Sequence, residues 1–596
     1  MNVQDLIKEG VKLFKNKKFD EAIEKLNQAL GKIEDKNSQI EEQSNIQFLL
    51  GRCYYEQAMK AEGKDLEQLF GKAIEHFQQR LKLAEQLPDE QSSLRQQNYA
   101  QHWLGHCYLD QAKKAKGENS EQLIRQAVDH FQRQLKLSKQ LTDIQGQIYA
   151  QFWLGRCYLK QAVKIKDEDF SNATRLAKKA AECFLFLKKN LPQLKDESEK
   201  NIVDRTIPIY LREIYFLQKG WKKYFQQKKE SIQKKLFKNK TENLTDAIST
   251  ILAVLNIPPI ELGAIPLSHY TSPSVCERLF DIVSDKTNDK ADDNDPVDGN
   301  KVSPMRIGSS TYMNDPTEGE GLLELLNLQD LELENKADCP AYNAFFTCFS
   351  SRVNDLNQFR LYGKENSVEA SGCCLVFNKN GDWLKEPDVS ASFRGFTNKQ
   401  NEDFKEPIEA DVAGSKDENL PLYQVAYIAY YDEYIAKKKC IIWLPNEENP
   451  KFGIRLEPVG KNPSWHEFRI GKLKKALENL IEKSNNISDE DRKALEYIRY
   501  LFKDFAFRDE EEFRLLKIEQ IGSDKIEYCE ATKSIYLPYA DVRNMVDEVI
   551  LGTNYEKSGN HRKAEVFQHL MRKHYPNVKV SRSSLPINAN PPIKKD

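Results

Sequence analysis

The 596-residue sequence has no apolar run approaching the ~20 residues that a bilayer-spanning helix needs. Its first residues, MNVQDLIKEGVKLF, are amphipathic and lack the apolar core of a signal peptide. Excess charge is missing too. Lys+Arg 89 stand against Asp+Glu 91, a net of -2, so nothing global attracts the chain to nucleic acid or an anionic membrane. The 11 cysteines are odd in number and scattered, without a C-x-x-C pair. That argues against a disulfide framework and a structural zinc, and for a reducing cytoplasm. Phosphate-cradling glycine loops, HExxH and GxSxG are absent. What remains is a cytoplasmic globular chain, 40% hydrophobic and 30% charged, too long for one core.

The first half repeats itself. Leu50-Gly51-Arg52-Cys53-Tyr54 returns as Leu104-Gly105-His106-Cys107-Tyr108 and as Leu154-Gly155-Arg156-Cys157-Tyr158. Each is followed by an Ala-x-x-x-Phe pair: Ala73/Phe77, Ala127/Phe131 and Ala180/Phe184. The glycine lets one helix approach another, and the alanine makes room for the aromatic. Such a unit must stack to bury its apolar face. Further helical stretches follow near 198–218 and 222–238. Earlier, Gly10, Phe14, Phe19, Ala22, Leu26 and Ala29 place small and large residues at helical spacing, and GVKLFKNKKFDEAIEKLNQAL closely resembles a tetratricopeptide repeat. The later units are about 50 residues long rather than the usual ~34. The expectation is an all-α helical-repeat solenoid over 1–240 that binds a protein or peptide partner. His76, His102, His106 and His130 read as packing or surface residues rather than metal ligands. Lys219, Lys222, Lys223, Lys228, Lys229, Lys234, Lys235, Lys238 and Lys240, with Glu230 as the lone acid, read as a solvated helix face, the alternative being phosphate contact with nucleic acid.

After a linker helix at 241–257, halted by Pro258-Pro259, the texture changes. Strand-like runs AFFTCFS (344–350), GCCLVF (372–377), LYQVAYIAY (422–430), EFRLLKI (512–518) and MVDEVILG (545–552) alternate with helices and polar loops at 285–300 and 394–420. This predicts an α+β domain over 258–590. Its polar signals are Leu267-Ser268-His269-Tyr270-Thr271 and Ser309-Ser310-Thr311-Tyr312-Met313-Asn314-Asp315-Pro316-Thr317-Glu318.

Those two segments, with FFTCFSSRVNDLNQFRLYG, GCCLVF, EEEFRLL and VDEVILG in that order, resemble a widespread prokaryotic domain family of unknown function. Its marks are a His-Tyr-Thr opening, Asn-Asp-Pro-x-Glu, a Cys-Phe-Ser strand and a late Glu-x-Arg. Phe359 stands where the family carries tryptophan. The layout is also distantly similar to ADP-ribosyltransferases. That resemblance implies NAD as substrate without a metal, with His269, Tyr312 and Glu512 as the catalytic set. Histidine would bond the ribose or carboxamide, tyrosine would stack on nicotinamide, and the glutamate would face the ribosyl cation. Tyr270, Thr271, Ser310, Asn314, Asp315 and Glu318 would line the cofactor, and Arg360 or Arg514 would meet the pyrophosphate.

Plainer readings stand beside these. His269 suits a core position at a strand end. Asn314-Asp315-Pro316 suits a turn and helix start, with Glu318 on the helix dipole. Glu511, Glu512 and Arg514 suit an ion pair beside a strand. The alternatives to an NAD-consuming effector of antiviral or toxin type are a scaffold binding a ligand or nucleic acid, and a metal-dependent nuclease using Asp315, Glu318 and Glu512.

Overall fold

The computed structural model describes residues 2–33, 39–61, 63–115, 117–194, 196–237, 244–282, 305–312, 318–328, 342–377, 384, 420–433, 436–445, 448–484, 488–530, 532–539, 541–543, 545–559 and 562–585. The loops expected at 285–300 and 394–420 lie outside these residues, apart from Leu420. The chain begins with α1 (Val3–Lys15), α2 (Phe19–Gly31), α3 (Ile40–Lys60), α4 (Gly63–Ala84), α5 (Glu90–Lys114), α6 (Gly117–Gln140), α7 (Ile144–Ile165), α8 (Phe170–Asn190) and α9 (Glu197–Leu217). Several begin on a side-chain cap, as helices must to satisfy their first N–H groups. Asp89, Asp143 and Asp169 accept from Ser92, Gly146 and Asn172.

The repeated motifs produce repeated contacts. A Cβ added at Gly51, Gly105 or Gly155 would lie 2.7, 2.6 or 2.8 Å from the ring of Phe77, Phe131 or Phe184. Each glycine is therefore a slot for the aromatic of the following helix. Ala73, Ala127 and Ala180, one turn before those aromatics, are fully buried. Tyr54 stacks on His76 and Tyr108 on His130, both at 5.3 Å. Their Nδ1 atoms meet Gln47 and Gln101 at 2.6 and 2.7 Å. Burial holds the His130 imidazole down to about 4, so both histidines are built into packing.

The chain then continues through α10 (Trp221–Leu236), α11 (Thr245–Leu255), β1 (Ser268–Thr271), α12 (Pro273–Leu279), β2 (Arg306–Ser309), α13 (Glu320–Leu325), β3 (Tyr342–Ser350), α14 (Leu356–Leu361), β4 (Cys373–Phe377), β5 (Leu422–Gln424), β6 (Ala426–Tyr430), α15 (Ala436–Lys439), β7 (Ile442–Leu444), β8 (Phe452–Arg455), α16 (Pro463–Lys483), α17 (Asp489–Arg499), β9 (Phe502–Asp504), β10 (Glu512–Gln520), β11 (Glu527–Cys529), β12 (Ser534–Pro538), β13 (Val546–Leu551), α18 (Ala564–His574) and β14 (Lys579–Arg582). A mostly antiparallel sheet runs β11-β12-β2-β3-β1-β4-β13-β14, and β10 pairs with both β3 and β5. A smaller sheet runs β7-β8-β6-β9.

The chain is thus helical first and α+β afterwards. Its contacts divide after Gly220, ahead of the boundary expected at 240. The reason lies in α10 and α11. Phe225 and Ile232 enter the core of the α+β unit, and α11, expected as a linker helix, is buried from Ala247 to Leu255. The basic face of α10 belongs to this second unit, and Lys229 pairs with Asp246 at 2.5 Å. Lys238 and Lys240 lie outside the described residues. Among the described residues no helix is long and apolar enough to cross a membrane.

Candidate functional site

Strand β10 carries two faces because side chains alternate along a strand. Phe513 and Leu515 enter one core, with Phe349 of β3. Glu512 and Arg514 point to the other, opposite Ser350 and Cys348 in register. There a charged cluster is sealed from solvent. The Arg514 guanidinium forks onto Glu512, Nε to Oε1 at 2.7 Å and Nη2 to Oε2 at 2.9 Å. Its Nη1 donates to Glu318 Oε1 and to the Tyr500 carbonyl, both at 2.6 Å, and the group lies over the Phe346 ring at 4.5 Å. Lys503 of β9 donates to Glu510 at 2.7 Å and to Glu512 at 3.2 Å, with Glu318 at 3.9 Å. Tyr362 O–H donates to Glu510 at 2.5 Å, and Tyr427 O accepts the Glu512 N–H at 2.9 Å.

Three carboxylates thus share two cations in a place where unpaired charge is expensive. Burial pushes the Glu512 carboxyl up, but Arg514 and Lys503 outweigh it and hold the group down to about 2. Burial also pushes Glu510 up. There Lys503 offsets it only in part, the Glu512 charge adds to it, and the net shift is upward. Burial drives the Cys348 thiol beside Glu512 well above its ordinary range. Between the two acids Glu511 takes a left-handed φ of 46°, a conformation that non-glycine residues hold only when the surroundings insist. Ser351 and Arg352 supply that insistence by bonding its carboxylate.

His269 lies elsewhere. On one edge β3 pairs with β10 along its whole length. On the other it pairs with β2 through Phe345 and Phe346 and with β1 only at Ser350. In that fork the His269 Nδ1–H donates to the Cys348 carbonyl at 2.9 Å. A carbonyl can only accept, so Nδ1 carries the hydrogen and Nε2 is the acceptor. Burial lowers the imidazole pKa, and the Cys348 bond offsets this in part. The ring packs on Phe349, whereas Glu512 meets the Cys348 thiol. Neighbours on one strand face opposite ways, so His269 and Glu512 approach β3 from opposite faces.

The other expected residues are distributed as follows. Tyr270 O–H donates to the Arg352 carbonyl at 2.7 Å and accepts from the Asp355 N–H at 2.9 Å, pinning the turn after β3. Thr271 is buried, its carbonyl against Gly363. Ser310 donates to Asn343 Oδ1 at 2.8 Å. Tyr312 closes the 3-10 turn after β2. Asn314 and Asp315 lie outside the described residues. Glu318 joins the buried cluster through Arg514. Arg360 is half exposed and pairs with Glu369 at 3.2 Å. Lys503, Glu510 and Tyr362, which complete the cluster, were not foreseen. Glu510 is signalled by the acidic run Asp509-Glu510-Glu511-Glu512 entering an apolar strand, and Tyr362 by its place three residues after Phe359 in FFTCFSSRVNDLNQFRLYG.

No protein-family model matches the chain, and no curated protein matches it either.

Proposed function

We propose that the protein is a cytoplasmic sensor-effector. The helical unit is a tetratricopeptide-like solenoid that docks a protein partner. The α+β unit, read as ADP-ribosyltransferase-like, consumes NAD by ADP-ribosyl transfer or hydrolysis, a pairing that suits antiviral or toxin systems. The observation carrying this reading is the pair Glu510 and Glu512, bonded to the same Lys503 ammonium yet pushed in opposite directions. Cleavage of NAD by water asks for such a pair: an ionised carboxylate facing the oxocarbenium-like carbon and a second carboxyl of raised pKa that takes up the proton of the attacking water. In hydrolysis the C1′–N bond breaks, its electrons leave with neutral nicotinamide, water bonds to C1′, and its proton is released. Lys503 and Arg514 keep Glu512 ionised. Tyr312 is left to stack on nicotinamide, while His269, on the opposite face of β3 from Glu512, stays outside this step.

The nuclease alternative fits less well, because the Arg514 guanidinium already bridges Glu318 and Glu512, where a divalent cation would have to sit. The test is nicotinamide release from NAD by the full chain, with its partner supplied. Glu512→Gln should lower turnover by about 100-fold or more while circular dichroism keeps the wild-type form. No release from wild type, or activity abolished by a chelator, would sink the reading.

A further inference from the structure

The repeats act as internal controls for one another, and one position fails to match. Three residues after each slot-filling aromatic stand Arg80, Gln134 and Leu187, all buried, at 2%, 0% and 0% exposure. Three residues before each slot glycine stand Phe48, His102 and Phe152. The Gln134 Oε1 meets His102 Nδ1 at 3.4 Å, and Leu187 needs no polar partner. The packing therefore accepts a neutral amide or an aliphatic chain at this place, and the fold does not require a charge there.

Arg80 nevertheless brings one. Its guanidinium lies over the Phe48 ring at 4.1 Å and the Tyr99 ring at 5.6 Å. Nε and Nη1 are buried without a hydrogen-bond partner, and no carboxylate among the described residues pairs with the group. Burial lowers its pKa to about 9, with a small opposing contribution from Tyr99. Buried guanidinium groups are ordinarily paired, because their N–H donors lose water on burial. With rings on the faces, the unpartnered Nε–H and Nη1–H remain as donors, of the kind an oxygen of a carboxylate or phosphate accepts from.

We propose that Arg80 is the recognition residue of an oxyanion site in the helical unit, taking a carboxylate or phosphate group carried by the partner. This deepens the reading of the helical unit as the docking module. Its test needs neither partner nor NAD, so the two can fail separately. Full-length protein is melted in chloride, acetate and phosphate at matched ionic strength. Wild type should melt about 2–4 °C higher in acetate or phosphate than in chloride, and the more effective anion identifies the group. Arg80→Leu and Arg80→Gln restore residues that the other repeats carry. Both should melt at least as high as wild type in chloride and lose the anion-specific rise. Three results would overturn the site: equal melting of wild type in all three anions, an anion rise surviving in the variants, or both variants melting lower in chloride.

Discussion

Arg80 in the helical unit and Arg514 in the α+β unit are buried to nearly the same degree, and there the likeness ends. Burial pulls both guanidinium groups toward neutrality. Around Arg80 nothing reverses that pull, and its pKa falls to about 9. Around Arg514 the carboxylates of Glu512 and Glu318 reverse it, and its pKa rises above the ordinary arginine value. The difference lies in the partner rather than the depth, as expected when desolvation and pairing are both large and opposed. One unit keeps a cation waiting, and the other keeps its cations neutralised.

The strongest way to sharpen this contrast is Arg514→Met. It leaves Glu318 and Glu512 in the core with Lys503 as their remaining cation and should cost about 3–5 kcal/mol, read from urea unfolding followed by a probe in the α+β unit. A cost below about 1 kcal/mol would mean the cluster is wetter than it looks, and the contrast with Arg80 would collapse. A smaller effect tests what holds the helical unit instead. Gly105→Leu forces a side chain into the slot occupied by Phe131, 2.6 Å from where its Cβ would lie, and should cost about 1–3 kcal/mol. An unchanged thermal midpoint would show that the slot is not what fixes the spacing of these helices. The smallest effect belongs to Arg360→Ala. That arginine is half exposed and singly paired, so unfolding should shift by less than about 0.5 kcal/mol, and a larger loss would extend the buried-charge argument to the surface.

The repeats were legible because their signal is local. A glycine, an alanine one turn before an aromatic, and a recurrence of the whole pattern need no knowledge of distant residues, and the slots at Gly51, Gly105 and Gly155 follow from them. The apolar runs of the second half likewise became β3, β4, β5 with β6, β10 and β13. Long-range pairing was not legible. Nothing local links Tyr362 to Glu510 or Glu318 to Arg514, since each contact is closed by the fold rather than by spacing. The division of contacts after Gly220 is hard to read from the sequence for a related reason. The lysines of α10 advertise a solvated helix, while Phe225 and Ile232, which commit it to the second core, are few. His269 was noticed as a polar signal, yet its bond to a carbonyl in the fork of the sheet depends on β2 and β1 parting along β3.

That fork sets the order in which the chain can be completed during synthesis. Each helix from α1 to α9 packs mainly on its neighbours in the chain, so the first unit can assemble as it is translated. Strand β1 emerges early but pairs with β4 and β3, and β3 is complete only once β10 arrives at residues 512–520. Strand β4 waits longer still, for β13 at 546–551. A ribosome stalled before residue 512 therefore carries a helical unit able to form and an α+β unit that has neither Glu512 nor Arg514, so recognition matures before the chemistry it is proposed to govern.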